Sequence, residues 1–329
     1  MRTRQLLVTT LFFSLTLCSC SGPDIETVEH WQPWLKEDGR TLAVTKILDF
    51  VHKYDDIASK SWRTSEKLAK CSKLVTDYKD KKVTDEAFFK LKKDAGLSRD
   101  LFESLGLRAN SEEMKAITEL DSLEPTAATA AKWVAAFDAH ATGKSEGYIA
   151  EAKAAELKAT KLANEAIDPL VTAYSAKNSQ KVFLRSFLEL IGFHENRAAH
   201  ARARKDEAAA KAYDAGAIAT ARKLSPAFGQ ALKDYTEPDG ARLAAATVIR
   251  FKLTADHVKV AEQIINDTSA PHTNVMSALD ILVESPPDIT AVPALVRILD
   301  QDPDKRPVVL AGLAAKILGG LKAKEAVQG

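Results

Sequence analysis

Cysteine is scarce in this chain, with three among 329 residues, at positions 18, 20 and 71. Past residue 20 only Cys71 remains, so that part has no internal disulfide to form and must be held by packing. Cys71 itself reads as a small buried apolar residue, with intermolecular pairing as the alternative. Net charge is also lacking: 46 lysines and arginines against 45 aspartates and glutamates leave +1. A nucleic-acid binder normally shows a clustered basic excess, so that class is set aside. No apolar run beyond the N-terminus approaches the roughly 18 residues of a transmembrane helix. Strand-period alternation is missing too; from Thr41 onward the apolar residues follow only a helical period.

Catalytic patterns are equally sparse. His194 and His200 are six residues apart, whereas a zinc helix sets its histidines at i and i+4. Gly143-Lys144-Ser145 has the tail of a phosphate loop but Asp138 where the earlier glycine belongs, so it reads as a helix stop and a new start. No serine has a Gly-x-Ser-x-Gly setting. Asp55 and Asp56 are adjacent, and neighbours on a helix do not face each other. Arg197, Arg202, Arg204 and Lys205, balanced by Asp206 and Glu207, read as a solvated face. The expectation is no catalytic residue, no metal, no cofactor and no enzyme.

What is present begins at the N-terminus. Arg2 and Arg4 precede a short apolar run, Leu6 to Leu17, as in a secretory signal too short to span a bilayer. Leu17-Cys18-Ser19-Cys20 resembles the lipobox of bacterial lipoproteins. Cys18 is a rival acceptor, but Leu17 is too bulky for the small position before it. The resemblance implies cleavage after Ser19 and acylation of Cys20, with three acyl chains as a firm anchor. Ser21 after that cysteine fits the outer membrane. An ordinary signal peptide, cut nearby, is the alternative. Loss of Arg2 and Arg4 would turn the net charge from one positive to one negative. Residues 20–40 read as a lipidated tether, in which Trp31 and Trp34 either sit at the membrane interface or dock on the fold.

One long helix or two in line are expected from Thr41 to about Lys79. Shorter helices follow, with Thr84 as an N-cap, further starts at Ser98, Ser111 and Thr126, Gly96, Gly106 and Gly143 as stops, and Ser145 as a new N-cap. Residues 126–221 hold 29 alanines in 96 positions, and alanine is the best helix former. Helices are expected over Thr126–His140, Ser145–Tyr174 with Pro169 as a kink point, and Ser179–Leu224 with a bend near Gly192.

After Ser225-Pro226 three units of about 32 residues recur. Each is an apolar helix, a polar turn and a second apolar helix, and the turn prolines Pro238, Pro271 and Pro303 are 33 and 32 residues apart. A fixed period of helix pairs marks an α-solenoid. The last unit, through Ala291-Val292-Pro293-Ala294-Leu295, the turn Leu299 to Pro303 and the helix Val309 to Gly319, resembles short HEAT-like repeats of phycobilisome-lyase-type proteins. That resemblance implies shape and partner binding rather than chemistry; a plain helical bundle is the alternative. The expected organisation is a signal peptide over 1–19, a lipidated tether over 20–40, an all-α domain of long alanine-rich helices over 41–224 and a HEAT-like solenoid over 225–329. Such a chain is expected to act in the bacterial envelope, held at the outer membrane through Cys20, as a scaffold binding an envelope protein through residues 225–329. A structural spacer and a carrier of lipid are the competing readings.

Overall fold

A computed structural model describes residues 40–174, 180–301 and 307–328. The expected signal, lipobox and tether, including Ser19, Cys20, Trp31 and Trp34, lie outside the described residues. Within them the protein is all-α: thirteen helices and one short 3₁₀ turn, with no strand among the described residues. The helices are α1 (Arg40–Lys79), α2 (Asp85–Ala95), α3 (Arg99–Ser104), α4 (Glu112–Asp121), α5 (Ala127–His140), α6 (Ser145–Tyr174) and α7 (Gln180–Ala203). They continue as α8 (Glu207–Leu232), α9 (Pro238–Arg250), α10 (Thr254–Asn266), α11 (His272–Glu284), α12 (Val292–Leu299) and α13 (Val308–Gln328).

Local chemistry sets most of the ends. Thr84, Ser111 and Thr126 accept from the amides of Ala87, Met114 and Thr129, each satisfying a donor that the first turn leaves unpaired. Gly96 ends α2 with φ of 76°, a left-handed turn that a side chain would strain. Gly143 breaks the chain before α6 in the same way, at φ 77°.

The long pattern expected over Ser179–Leu224 is two helices. The break falls at Arg204–Asp206, not at Gly192, through which α7 runs intact. Lys205 takes a φ of 60° there, and Asp206 caps α8 by accepting from Ala209 N–H. Alanine on both sides hides this break, because high propensity continues across it. Helix α8 then runs through Leu224, Ser225 and Pro226, so the position expected as a domain boundary lies inside a helix. Pro226 forfeits one backbone hydrogen bond, but Leu224, Ala227, Phe228, Ala231 and Leu232 are all buried around it. Each large apolar side chain buried contributes about 1.5–3 kcal/mol, enough to keep the helix continuous.

The buried apolar side chains form two clusters. The smaller gathers Leu68, Cys71, Leu74 and Val75 of α1 with Phe88, Phe102, Trp133, Phe137 and their neighbours from α2–α5. The larger joins Ile47, Leu48 and Val51 of α1 to the second half of α6, to α7 and α8, and to every helix from α9 to α13. Helix α1, about 60 Å long at 1.5 Å per residue, thus belongs to both. It packs antiparallel along α6: Ser61 meets Glu151, and Ser65 meets Ser145 further down α1.

From α8 onward, side-chain hydrogen bonds join positions 31 or 32 residues apart. Ser225 Oγ lies 2.9 Å from His257 Nε2, Tyr235 OH donates to Asp267 at 2.9 Å, and the hydroxyls of Thr254 and Ser285 are 2.6 Å apart. Arg297 donates to the carbonyls of Ile265 and Asn266, closing the end of α10. Asn274, fully buried, does the same at the end of α8 through Leu232 O and Asp234 O.

Candidate functional site

Helices α1, α6 and α7 meet around one guanidinium. Asp55, Ser59 and Trp62 recur at spacings of four and three along α1 and so share a face. Arg197 of α7 reaches that face and is completely buried. Its Nε donates to Asp55 Oδ1, its Nη2 to Ser59 Oγ at 2.8 Å and to the Asp55 carbonyl at 2.9 Å, and its Nη1 to Glu156 Oε1 at 3.1 Å. The same Glu156 oxygen accepts from Trp62 Nε1 at 2.8 Å and from Arg204 Nη2 at 3.2 Å. The Arg204 guanidinium lies 4.0 Å from the Trp62 ring centroid, a stacked cation–π contact. Burial opposes the charge on Arg197, but Asp55 and Glu156 outweigh it and raise its pKa above the usual arginine value. Two cations facing two carboxylates, with most donors consumed, make a structural clamp rather than a reactive centre.

His194, one turn before Arg197, is 2% exposed, and neither ring nitrogen has a hydrogen-bond partner. Phe193 meets it edge-on at 5.2 Å, and Gly216 of α8 comes so close that a Cβ there would lie 2.8 Å from Nδ1. Burial pushes its pKa down to about 4, so the ring is neutral near pH 7. The reading of this stretch as a solvated face holds for His200, Arg202 and Lys205, which are exposed, and is corrected for His194, Arg197 and Arg204, which turn inward. The two histidines weighed as a metal pair are not brought together. Among the described residues, no group of three His, Cys, Asp or Glu side chains is placed to hold a metal ion. The signal for Arg197 was present in the sequence: it continues the stripe of Phe187, Leu190, Ile191, His194, Ala198 and Ala201, all of which are buried.

The opposite face of α1 lines an open cleft. Ile57, Lys60, Thr64 and Lys67, spaced three, four and three, face Ser104 at the end of α3 and the Gly143–Glu151 stretch across a volume of about 1140 Å³. The walls are tied by Tyr148 OH to Ser104 O at 3.0 Å and by Ser61 Oγ to Glu151 Oε2 at 3.0 Å. Gly143-Lys144-Ser145 is thus a helix stop and start on the cleft rim.

A second hollow, of about 470 Å³, is lined by Ser225, Gly229, Lys233 and His257 among others. The pairing of Ser225 with His257 was not read from the sequence, although their separation of 32 residues equals the repeat period. Burial lowers the His257 pKa and keeps the ring neutral. Its Nδ1 faces no acceptor, whereas an acyl-transfer base is oriented by a partner at that nitrogen. Cys71 is buried, its thiol pushed up to about 11 by burial against the opposing pull of Lys67 and Lys70. No helix among the described residues is long and apolar enough to cross a membrane. Compared with protein-family models, curated proteins and solved structures, the chain matches none.

Proposed function

We propose that residues 225–329 stack as HEAT-like repeats and form a non-enzymatic binding scaffold for a protein of the bacterial envelope, held at the outer membrane by acylated Cys20. The observation that carries this reading is the set of hydrogen bonds between positions 31 or 32 residues apart, from Ser225–His257 to Ile265–Arg297. When equivalent positions of successive units meet, each helix pair is a nearest neighbour of the next, as in a solenoid. Stacking sets α9 beside α11, leaving a groove of about 610 Å³ lined by Arg242, Leu243, Ile249, Met276 and Asp280. Its apolar floor and mixed charges suit a peptide segment of a partner better than a small metabolite.

The test is a photo-crosslinking residue placed at Leu243 in living cells, against the same residue at Leu157 of α6, also exposed. One envelope protein captured from position 243 alone, and lost with Arg242→Glu or Cys20→Ala, is the expected result. The same products from both positions, or none from 243, would refute the scaffold reading.

A further inference from the structure

We propose that the cleft between α1, the end of α3 and the start of α6 binds a phosphoryl group. Four cationic side chains line it, Lys60, Arg63 and Lys67 of α1 and Lys144 just before α6, against one carboxylate, Glu151. That carboxylate already accepts from Ser61. Among the described residues no ion pair holds Lys60, Lys67 or Lys144. Lys79, Lys92 and Lys115, by contrast, each have a carboxylate oxygen at 2.6–2.9 Å.

Four like charges gathered around one hollow repel one another, and an anion entering it relieves that repulsion. A neutral or cationic ligand would not. A lone carboxylate brings one charge and two oxygens; a phosphoryl group brings close to two charges and three acceptor oxygens, which suits several convergent lysines. The walls are fixed by the Tyr148–Ser104 hydrogen bond, and the Lys67 stem packs by Gly96, where a Cβ would lie 3.7 Å from its methylenes. The volume of about 1140 Å³ exceeds a bare phosphate and leaves room beside Ile57 and Tyr148 for the organic group that carries it. This site is separate from the groove of residues 225–329 and does not depend on the scaffold reading.

The chemistry is shared by a soluble phosphate monoester and the monoester headgroup of a phosphatidic acid lipid, so the experiment has two arms. The full chain carrying Cys20→Ala, which removes any acyl anchor, is titrated calorimetrically with inorganic pyrophosphate and sedimented with vesicles containing phosphatidic acid. Saturable binding in the pyrophosphate arm assigns a soluble source, and binding in the vesicle arm alone assigns the headgroup. In either case Lys60→Gln with Lys67→Gln and Lys144→Gln is expected to weaken binding by about tenfold or more, while Lys211→Gln on α8 leaves it unchanged. Lys144→Gln alone gives the same direction should the triple variant fold poorly. The proposal is overturned if neither probe binds, if the lysine variants bind as the parent does, or if Lys211→Gln weakens binding equally.

Discussion

Replacing Gly216 by alanine tests the close approach of α8 to the His194 ring of α7. In the interior of α8 the change alone should favour the helix by about 1 kcal/mol. Here the new methyl would lie 2.8 Å from Nδ1 and 3.0 Å from Cε1 of His194, contacts that real side chains do not tolerate. The imidazole is 2% exposed and boxed in by Phe193 and Tyr213, so it has no room to swing aside. Overpacking of this kind costs about 1–3 kcal/mol, which outweighs the helical gain. Gly216→Ala should therefore destabilise the parent protein. In a His194→Ala background the obstacle is gone, and the same substitution should stabilise by about 1 kcal/mol. The sign of one mutation reverses with a second residue, a coupling of about 1–3 kcal/mol. Urea unfolding of the four proteins, followed by far-ultraviolet circular dichroism, measures it. A stabilising Gly216→Ala in both backgrounds would refute the close approach of α7 and α8.

Three further predictions rest on the same helices. Arg197→Met removes one side of the buried clamp, leaving Asp55 without its cation and Glu156 with Arg204 alone; a loss of about 3–5 kcal/mol in urea unfolding is expected, and a loss below 1 kcal/mol would contradict the burial. For His194 the folded-state pKa of about 4 lies below the ordinary 6.5, so the unfolded chain takes up the proton first; stability is full above pH 6.5 and falls by about 3 kcal/mol as pH drops to 4. His257 adds a loss of the same sign, and His194→Leu should flatten the profile, its unfolding midpoint changing less between pH 7 and pH 4.5 than the parent's. Cys71, with its thiol near 11, should resist a thiol reagent at pH 8 in the native protein and react within minutes in urea; rapid native labelling would show that the smaller cluster opens readily.

Helix ends were legible wherever the deciding chemistry is local. Thr84, Ser111 and Thr126 each cap an amide three residues away, and Gly96 and Gly143 turn the backbone by themselves. The spacing of Pro238, Pro271 and Pro303 was legible for a related reason, since it is read before any tertiary contact is considered. The break at Arg204–Asp206 was obscured by alanine, which favours helix equally on both sides. The clamp was out of reach because it is assembled from a distance: Asp55 and Glu156 are 142 and 41 residues from Arg197 in sequence. A charged residue within an apolar stripe was the available clue, but the identity of its partners depends on which helices pack together. Ser225 with His257, and the four cations of the cleft, are likewise products of packing.

The sharing of α1 between both clusters bears on how the protein carries load. A pull applied ahead of Arg40 travels down a single beam and first meets Ile47, Leu48 and Val51, which belong to the larger cluster where α1 packs on α6 and α7. The next resistance is the Arg197 clamp at Asp55, Ser59 and Trp62, and only beyond it does strain arrive at Leu68 to Val75 and the small cluster. Tension from the N-terminal side is therefore borne first by the larger cluster, while α2–α5 lie downstream of the clamp, sheltered from it.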